Sequence, residues 1–254
     1  MKVISIVNRR GGVGKTATAH AIGAGLSHRG YKVLFIDLDS QSNLTFDTGA
    51  TTSDKTSLEL LQGTATATDA IQSTPIGNII PASQNLALAD MLLQDTGKEY
   101  KLKEAIAPIK RKYDYIIIDT PPALGIITTN ALTASDTVVI PAQAEIHSIQ
   151  GIALLNEAIT AVKKYTNPAL KIAGIVITRY NGRAILSKDM KENLHRTAEL
   201  LKTKVFSTPI RECIAVKEAQ ALRQDIFTYA PRSNATKDYN AVIDELLGGK
   251  VNGK

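Results

Sequence analysis

The chain has 254 residues, an apolar share of 44% and a mean hydropathy of −0.04, the balance of a globular protein long enough for one substantial core. It holds no run of about 18 apolar residues, which excludes a membrane-spanning helix, and its single cysteine, Cys213, excludes an internal disulfide and points to a reducing compartment. The net charge of +6 is uneven: residues 1–160 carry 13 Lys and Arg against 15 Asp and Glu, and residues 161–254 carry 17 against 9, so the basic part suits a polyanionic partner or is a solvated surface.

The first sixteen residues read MKVISIVNRRGGVGKT. The apolar, β-branched run Val3–Val7 predicts a buried strand, and the alanine-rich segment after Thr16 predicts a helix. Between them stand Gly11, Gly12, Val13 and Gly14, then Lys15 and Thr16. A loop whose amides converge on an anion has no room for Cβ atoms. Lys15 supplies a charge to the β- and γ-phosphates, Thr16 a hydroxyl to Mg²⁺, and the helix its positive end. The pattern predicts a nucleoside triphosphate site.

Residues 17–29 read as a helix with Ala17, Ala21, Ala24 and Leu26 near one face, closed by Gly30. Lys32–Asp37 is a second strand, and it delivers Asp37 and Asp39 to a sheet's carboxyl end, where open α/β folds place their ligands. Residues 48–75 are rich in Thr and Ala; Thr56 or Ser57 is expected to cap one short helix, and Thr68 or Asp69 another. Ile76–Pro81 reads as a short strand and Asn85–Leu93 as a helix.

The segment YDYIIIDTPP, Tyr113–Pro122, contains three consecutive isoleucines bounded by turn residues. That composition predicts a fully buried parallel strand ending at Asp119, a carboxylate suited to hold Mg²⁺-bound water beside the phosphate loop. A strand at Thr137–Ile140, a helix at Ile149–Lys164 and a buried strand at Lys171–Thr178 follow. Asn181–Leu201 reads as a loop and long helix, Lys204–Ser207 as a last short strand and Ala235–Leu247 as a closing helix. The alternation predicts one α/β domain over residues 1–254, a mostly parallel twisted sheet with helices on both faces.

Arg10, five positions before Lys15 and set against the first glycine of GGVGKT, makes the loop resemble that of the ParA/MinD family of deviant Walker A P-loop ATPases. The resemblance is closest to the ParA/Soj-type partition ATPases that lack an N-terminal helix-turn-helix. It extends through FIDLDSQSNLT, YDYIIIDTPPALG, NALTASDTVVIPAQAEIHSIQG, TPIRECIAVKEAQA and YAPRSNATKDY. Ser40 stands where proline is usual, and Arg10 where the family carries a lysine that reaches the partner subunit's nucleotide.

The resemblance implies an ATPase using ATP and Mg²⁺, with Arg10, Lys15 and Asp39 catalytic. Asp39 would orient the attacking water. Thr16, Asp37, Asp39 and Asp119 would hold the metal or its water shell. Gly11–Ala17 would enclose the phosphates, Pro209, Ile210, Arg211 and Glu212 would lie against adenine, and Thr178 and Arg179 would flank it. Arg183 falls where relatives use an arginine on DNA. Ala215 replaces a second such arginine, and Lys188, Lys191, Lys217 and Arg223 are the basic residues placed to substitute for it.

The implied protein dimerises on ATP, binds double-stranded DNA without sequence preference and hydrolyses ATP when a ParB-like partner stimulates it. It would be cytoplasmic and nucleoid-associated in a bacterium, and would partition plasmid, chromosomal or mobile-element DNA. Two other readings compete. A MinD-like membrane-associated protein would need a basic amphipathic tail, which the glycine-broken ELLGGKVNGK does not supply. A nucleotide-dependent binding module with little hydrolysis is the other, prompted by Arg10 and Ser40.

Overall fold

The computed structural model describes residues 1–52, 55–182 and 185–248; the side chains of 146–150 and 185–191 lie outside that description, as do Arg183 and the tail at 249–254. Seven strands form one sheet: β1 Lys2–Ile6, β2 Val33–Asp37, β3 Gln72–Thr74, β4 Gly77–Ile80, β5 Tyr115–Asp119, β6 Thr137–Gln143 and β7 Lys171–Thr178. Their spatial order is β3-β4-β2-β5-β1-β6-β7, parallel throughout except for the β3–β4 hairpin. The α/β class and mostly parallel sheet expected from the alternating pattern are therefore present.

Period-two alternation divides the core between the faces of this sheet. Ile4, Ile6, Phe35, Ile117, Val139 and Val176 face one side, where they meet helix α1 (Lys15–His28) and the closing helix. Val3, Leu34, Ile36, Ile116 and Ile118 face the other. The three isoleucines of β5 thus split, Ile117 to one layer and its neighbours to the opposite one.

Close approach of α1 to the sheet depends on a glycine. A Cβ at Gly23 would lie 2.1 Å from the Phe35 ring, which is wholly buried.

After β2 come α2 Asn43–Asp47, α3 Ser57–Gln62, α4 Ala67–Ala70, α5 Ala89–Leu92 and α6 Lys101–Ile106. Then follow α7 Ile126–Ala134, α8 Ile146–Tyr165, α9 Ile185–Leu200, α10 Ile214–Ala221, α11 Ile226–Tyr229 and α12 Asn234–Leu246. Thr56, one of the two expected caps, caps α3, and its own amide donates to the Glu59 carboxylate at 2.9 Å. The second Thr-rich cap differs: Thr66 is the cap and Asp69 its partner in the first turn, so α4 begins before Asp69 and contains it. The expected helix at 85–93 begins as a 3₁₀ turn over Gln84–Leu88.

Residues 204–207 do not form a sheet strand. Val205 makes an isolated bridge to Ile175, and Arg211 another to Tyr180. Through bonds such as Phe206 N–H to the Ile175 carbonyl and Ile210 N–H to the Ile177 carbonyl, residues 204–211 run along the outer side of β7. Among the described residues, no helix is long and apolar enough to cross a membrane.

Candidate functional site

The loop from Asn8 to Gly14 leaves the C-terminal end of β1, which lies between β5 and β6. Its carbonyls are tied back from outside the loop. The Lys15 ammonium donates to the Arg10 carbonyl at 3.2 Å, the Gln143 amide to Gly12 at 3.1 Å and the Thr178 hydroxyl to Val13 at 2.8 Å. Buried Asn8 donates to the Pro141 carbonyl at 2.7 Å and accepts from the Arg10 amide at 3.0 Å. With the carbonyls engaged, the amides of Gly11, Gly12, Val13 and Gly14 make no hydrogen bond among the described residues. A row of unengaged amides ahead of a helix N-terminus forms an anion cradle.

Gly12 and Gly14 hold φ of 76° and 84°, the left-handed region in which side-chain-bearing residues are strained. Gly11 does not, and a Cβ at Gly11 or Gly12 would meet no heavy atom of the chain within 4 Å. Within this chain the glycine requirement at Gly12 is therefore backbone conformation, and the space beside it is open.

The acids converge on this loop through sheet register. Asp37 ends β2, Asp119 ends β5, and the two are paired residues of adjacent strands. Ile6, the last residue of β1, pairs with Asp119 on its other side. Asp37 accepts from the Asp39 amide at 3.1 Å, and from the Thr45 amide and hydroxyl at 2.8 and 2.7 Å. Burial pushes its carboxyl up to about 6 despite these bonds.

Asp119 is also wholly buried, and neither of its oxygens has a hydrogen-bond partner among the described residues. Burial and the Asp37 charge hold its carboxyl well above the usual range, against the nearby Thr16 hydroxyl and Lys15 ammonium. Lys15 is itself lowered by burial, which outweighs the attraction of Asp119 and Asp39. Asp39 is nearly buried and accepts from the Gln41 amide at 3.0 Å.

Two orphaned oxygens on a buried carboxylate, beside a hydroxyl and a ring of amides, fit a divalent cation bound with its water shell against an anionic ligand. Magnesium binds through few protein oxygens and retains water, consistent with the absence of any cluster of three metal-binding side chains among the described residues.

Arg10 does not point at the cradle. Its guanidinium donates to Glu145, just before α8, at 2.7 Å, and both side chains are partly exposed. On the opposite flank a cavity is lined by Gly14, Ala17, Thr178, Arg179, Ile210, Arg211, Glu212, Lys217, Gln220 and Tyr239, among others. The structure thus gathers most of the residues expected against a nucleotide base. Pro209 is outside the lining, and Arg211 is already engaged by a two-pronged pair with Asp238 at 2.9 and 2.6 Å.

The five basic residues expected on DNA do not form one described cluster. Lys217 lines the cavity just given, whereas Arg223 lies over the Phe46 ring at 4.3 Å. Lys188 and Lys191 lie on α9, with side chains outside the description, and Arg183 is outside it altogether. Sequence reasoning missed Asn8, Gln143 and the support Thr178 gives the loop, because each is a single polar residue acting across the fold.

Residues 1–172 match the model of an AAA domain family. Over 250 residues the chain is 38% identical to the sporulation initiation inhibitor protein Soj of Bacillus subtilis, covering 96% of this chain and 98% of that protein. It is 34% identical over 249 residues to the chromosome-partitioning ATPase Soj of Treponema pallidum, covering 97% of each. Its fold superposes with a TM-score of 0.85 and 33% identity on a Mycobacterium smegmatis cobyrinic acid a,c-diamide synthase holding an ATP analogue and magnesium, over 97% of this chain and 94% of that one. With its glycine loop, its paired strand-end carboxylates and these nearly end-to-end matches, the chain belongs to the Soj/ParA family of P-loop ATPases.

Proposed function

We propose that this ATPase is an ATP-dependent DNA-partition switch, built as one domain over residues 1–254. Two copies close on ATP, bind duplex DNA without sequence preference, and let go after hydrolysis stimulated by a ParB-like partner. The observation that carries the nucleotide part is the loop with every tied carbonyl turned away, set beside the orphaned Asp119.

In this reading the amides of Gly11–Thr16 and the Lys15 ammonium hold the phosphates, and the cavity lined by Gly14, Thr178, Arg179 and Ile210–Glu212 takes adenine, with Pro209 just outside the lining. Thr16, Asp37, Asp39 and Asp119 hold magnesium or its waters; when bound, the ion neutralises phosphate charge. Asp39 orients the attacking water. Phosphoryl transfer asks mainly for positioning and charge neutralisation, and Arg10 of a second copy supplies the last cation. An arginine brought to such a site contributes about 10³- to 10⁵-fold in rate.

Arg183, Lys188, Lys191 and Arg223 form the basic set for DNA, with Lys217 shared between that face and the base cavity. Contacts to phosphates carry no sequence information and weaken with salt. The protein then works in the bacterial cytoplasm, on the nucleoid, on plasmid, chromosomal or mobile-element DNA.

The deciding experiment measures duplex binding with ATP, ADP and no nucleotide, alongside turnover as a function of protein concentration. ATP-specific binding and a rise in turnover per molecule with concentration are expected. Equal binding in all three states, or turnover per molecule independent of concentration in wild type and Arg10→Ala alike, would refute the switch.

A further inference from the structure

Helix α2 lies between the acidic turn and the base cavity, and is bonded to both. At its start, the Thr45 amide and hydroxyl donate to Asp37 at 2.8 and 2.7 Å. Asp37 in turn accepts from the Asp39 amide. At its end, buried Asp47 accepts from the Gln220 side-chain amide at 2.6 Å. Gln220 is on α10 and lines the cavity shared by Gly14, Ala17, Thr178, Arg211 and Tyr239. A second contact runs parallel to this one, Phe46 of α2 beneath the Arg223 guanidinium that follows α10.

A helix of five residues has too few internal bonds to hold itself, so these outside attachments determine where α2 sits. The Asp47–Gln220 bond is short, charge-assisted and partly buried, which places it among the stronger hydrogen bonds in the molecule. Asp47 serves no helix cap and pairs with no cation among the described residues. Gln220 offsets its desolvation only in part.

We propose that Asp47 and Gln220 are positioning residues whose hydrogen bond couples occupancy of the base cavity to the Asp37–Asp39 turn through α2. Filling the cavity fixes α10; Gln220 holds Asp47; α2 then holds Thr45 against Asp37. The coupling is reciprocal, so loosening α2 also loosens the base. This inference rests on the reading of that cavity as the nucleotide base site.

The test uses the full chain, with fluorescently labelled ADP and Mg²⁺ for release rates, and amide hydrogen exchange over residues 43–47 with and without ADP. In wild type, ADP is expected to slow exchange there. Gln220→Met keeps the side-chain length and removes the donor; release should quicken about tenfold, and protection of 43–47 should no longer respond to ADP. The double variant Asp47→Asn with Gln220→Glu reverses donor and acceptor and should restore both.

Wild-type protein that binds ADP while exchange at 43–47 ignores it overturns the coupling alone. So does unaltered release in Gln220→Met, or a double variant no better than Gln220→Met. Wild-type protein that binds no nucleotide removes the site reading, and the coupling with it. Should Gln220→Met fail to fold, Gln220→Ala serves with the same expected and overturning outcomes.

Discussion

Asp37 and Asp119 stand as paired residues at the ends of neighbouring parallel strands, both without solvent contact, and Asp119 lacks any hydrogen bond among the described residues. Like charges held together in the interior oppose folding; Lys15 and the Thr45 bonds offset them in part, and an added cation or a proton would offset them further. The nucleotide-free protein therefore carries a built-in destabilisation at its site, of the kind that function commonly imposes. Asp119→Asn removes one charge. It is expected to stabilise the nucleotide-free chain by about 1–3 kcal/mol at pH 7.5 in urea denaturation, and to abolish the further stabilisation given by Mg·ADP. A drop in nucleotide-free stability would contradict the account.

The same burial sets a pH dependence. Asp37 and Asp47 both have carboxyls raised to about 6, from an ordinary value of 3.8, chiefly by desolvation. Between those values the folded chain binds more protons than the unfolded chain, so each group makes stability fall as pH rises through the window from about 4 to 6. His20 acts in the opposite sense: burial lowers it to about 4, and its contribution makes stability rise between about 4 and 6.5. Replacing Asp47 by Asn should remove one falling component. Denaturation midpoints at pH 4.5, 5.5 and 6.5 are expected to fall less steeply, or rise more, in Asp47→Asn than in wild type.

Arg10 and Glu145 are joined on a partly exposed surface, where an ion pair contributes about 0.2–1 kcal/mol. Breaking it should barely change stability. In the proposed ATP-closed pair, Arg10 has to leave Glu145 to reach the nucleotide of the other copy. Glu145→Gln is expected to lower the protein concentration at which turnover is half-maximal, and Arg10→Ala to lose the concentration dependence with at least a tenfold fall in rate. Steady-state phosphate release across a dilution series reads both.

Gly23 tests the packing beneath the loop without touching the site. A methyl group there would collide with the Phe35 ring, and overpacking of a filled core costs about 1–3 kcal/mol. Gly23→Ala should lower the thermal midpoint, while nucleotide affinity of the folded fraction, measured well below that midpoint, stays near wild type.

The parts of the fold that were legible in the sequence are those in which neighbouring residues carry their own signal. Runs of β-branched residues marked β1, β2, β5 and β7, and the glycine–lysine loop marked the start of α1 to within two residues. Helix α2 was not legible, since its first turn is held by Asp37 from the end of a strand and is entered through Ser42 at a φ of 54°. Strand β3, Gln72–Thr74, has no apolar residue and is held by pairing with β4 and by the Gln72 side chain, which bonds the Thr51 backbone. The opposite error arose at 204–207, where a strand-like run meets β7 at a single bridging residue.

At the site, the phosphate loop and its acids were named from local pattern, but the brace around the loop was not. Asn8, Gln143 and Thr178 are joined only by the folded sheet, so no spacing in the chain relates them.

The segment along the outside of β7 has a consequence for how copies of this protein meet. An unpaired sheet margin invites another strand, and with it uncontrolled stacking. Here one margin is occupied by residues 204–211 and the other is only the three-residue β3. Strand-to-strand association is thereby discouraged even where many copies crowd together, which leaves the loop-bearing surface free for the ATP-dependent closure proposed above.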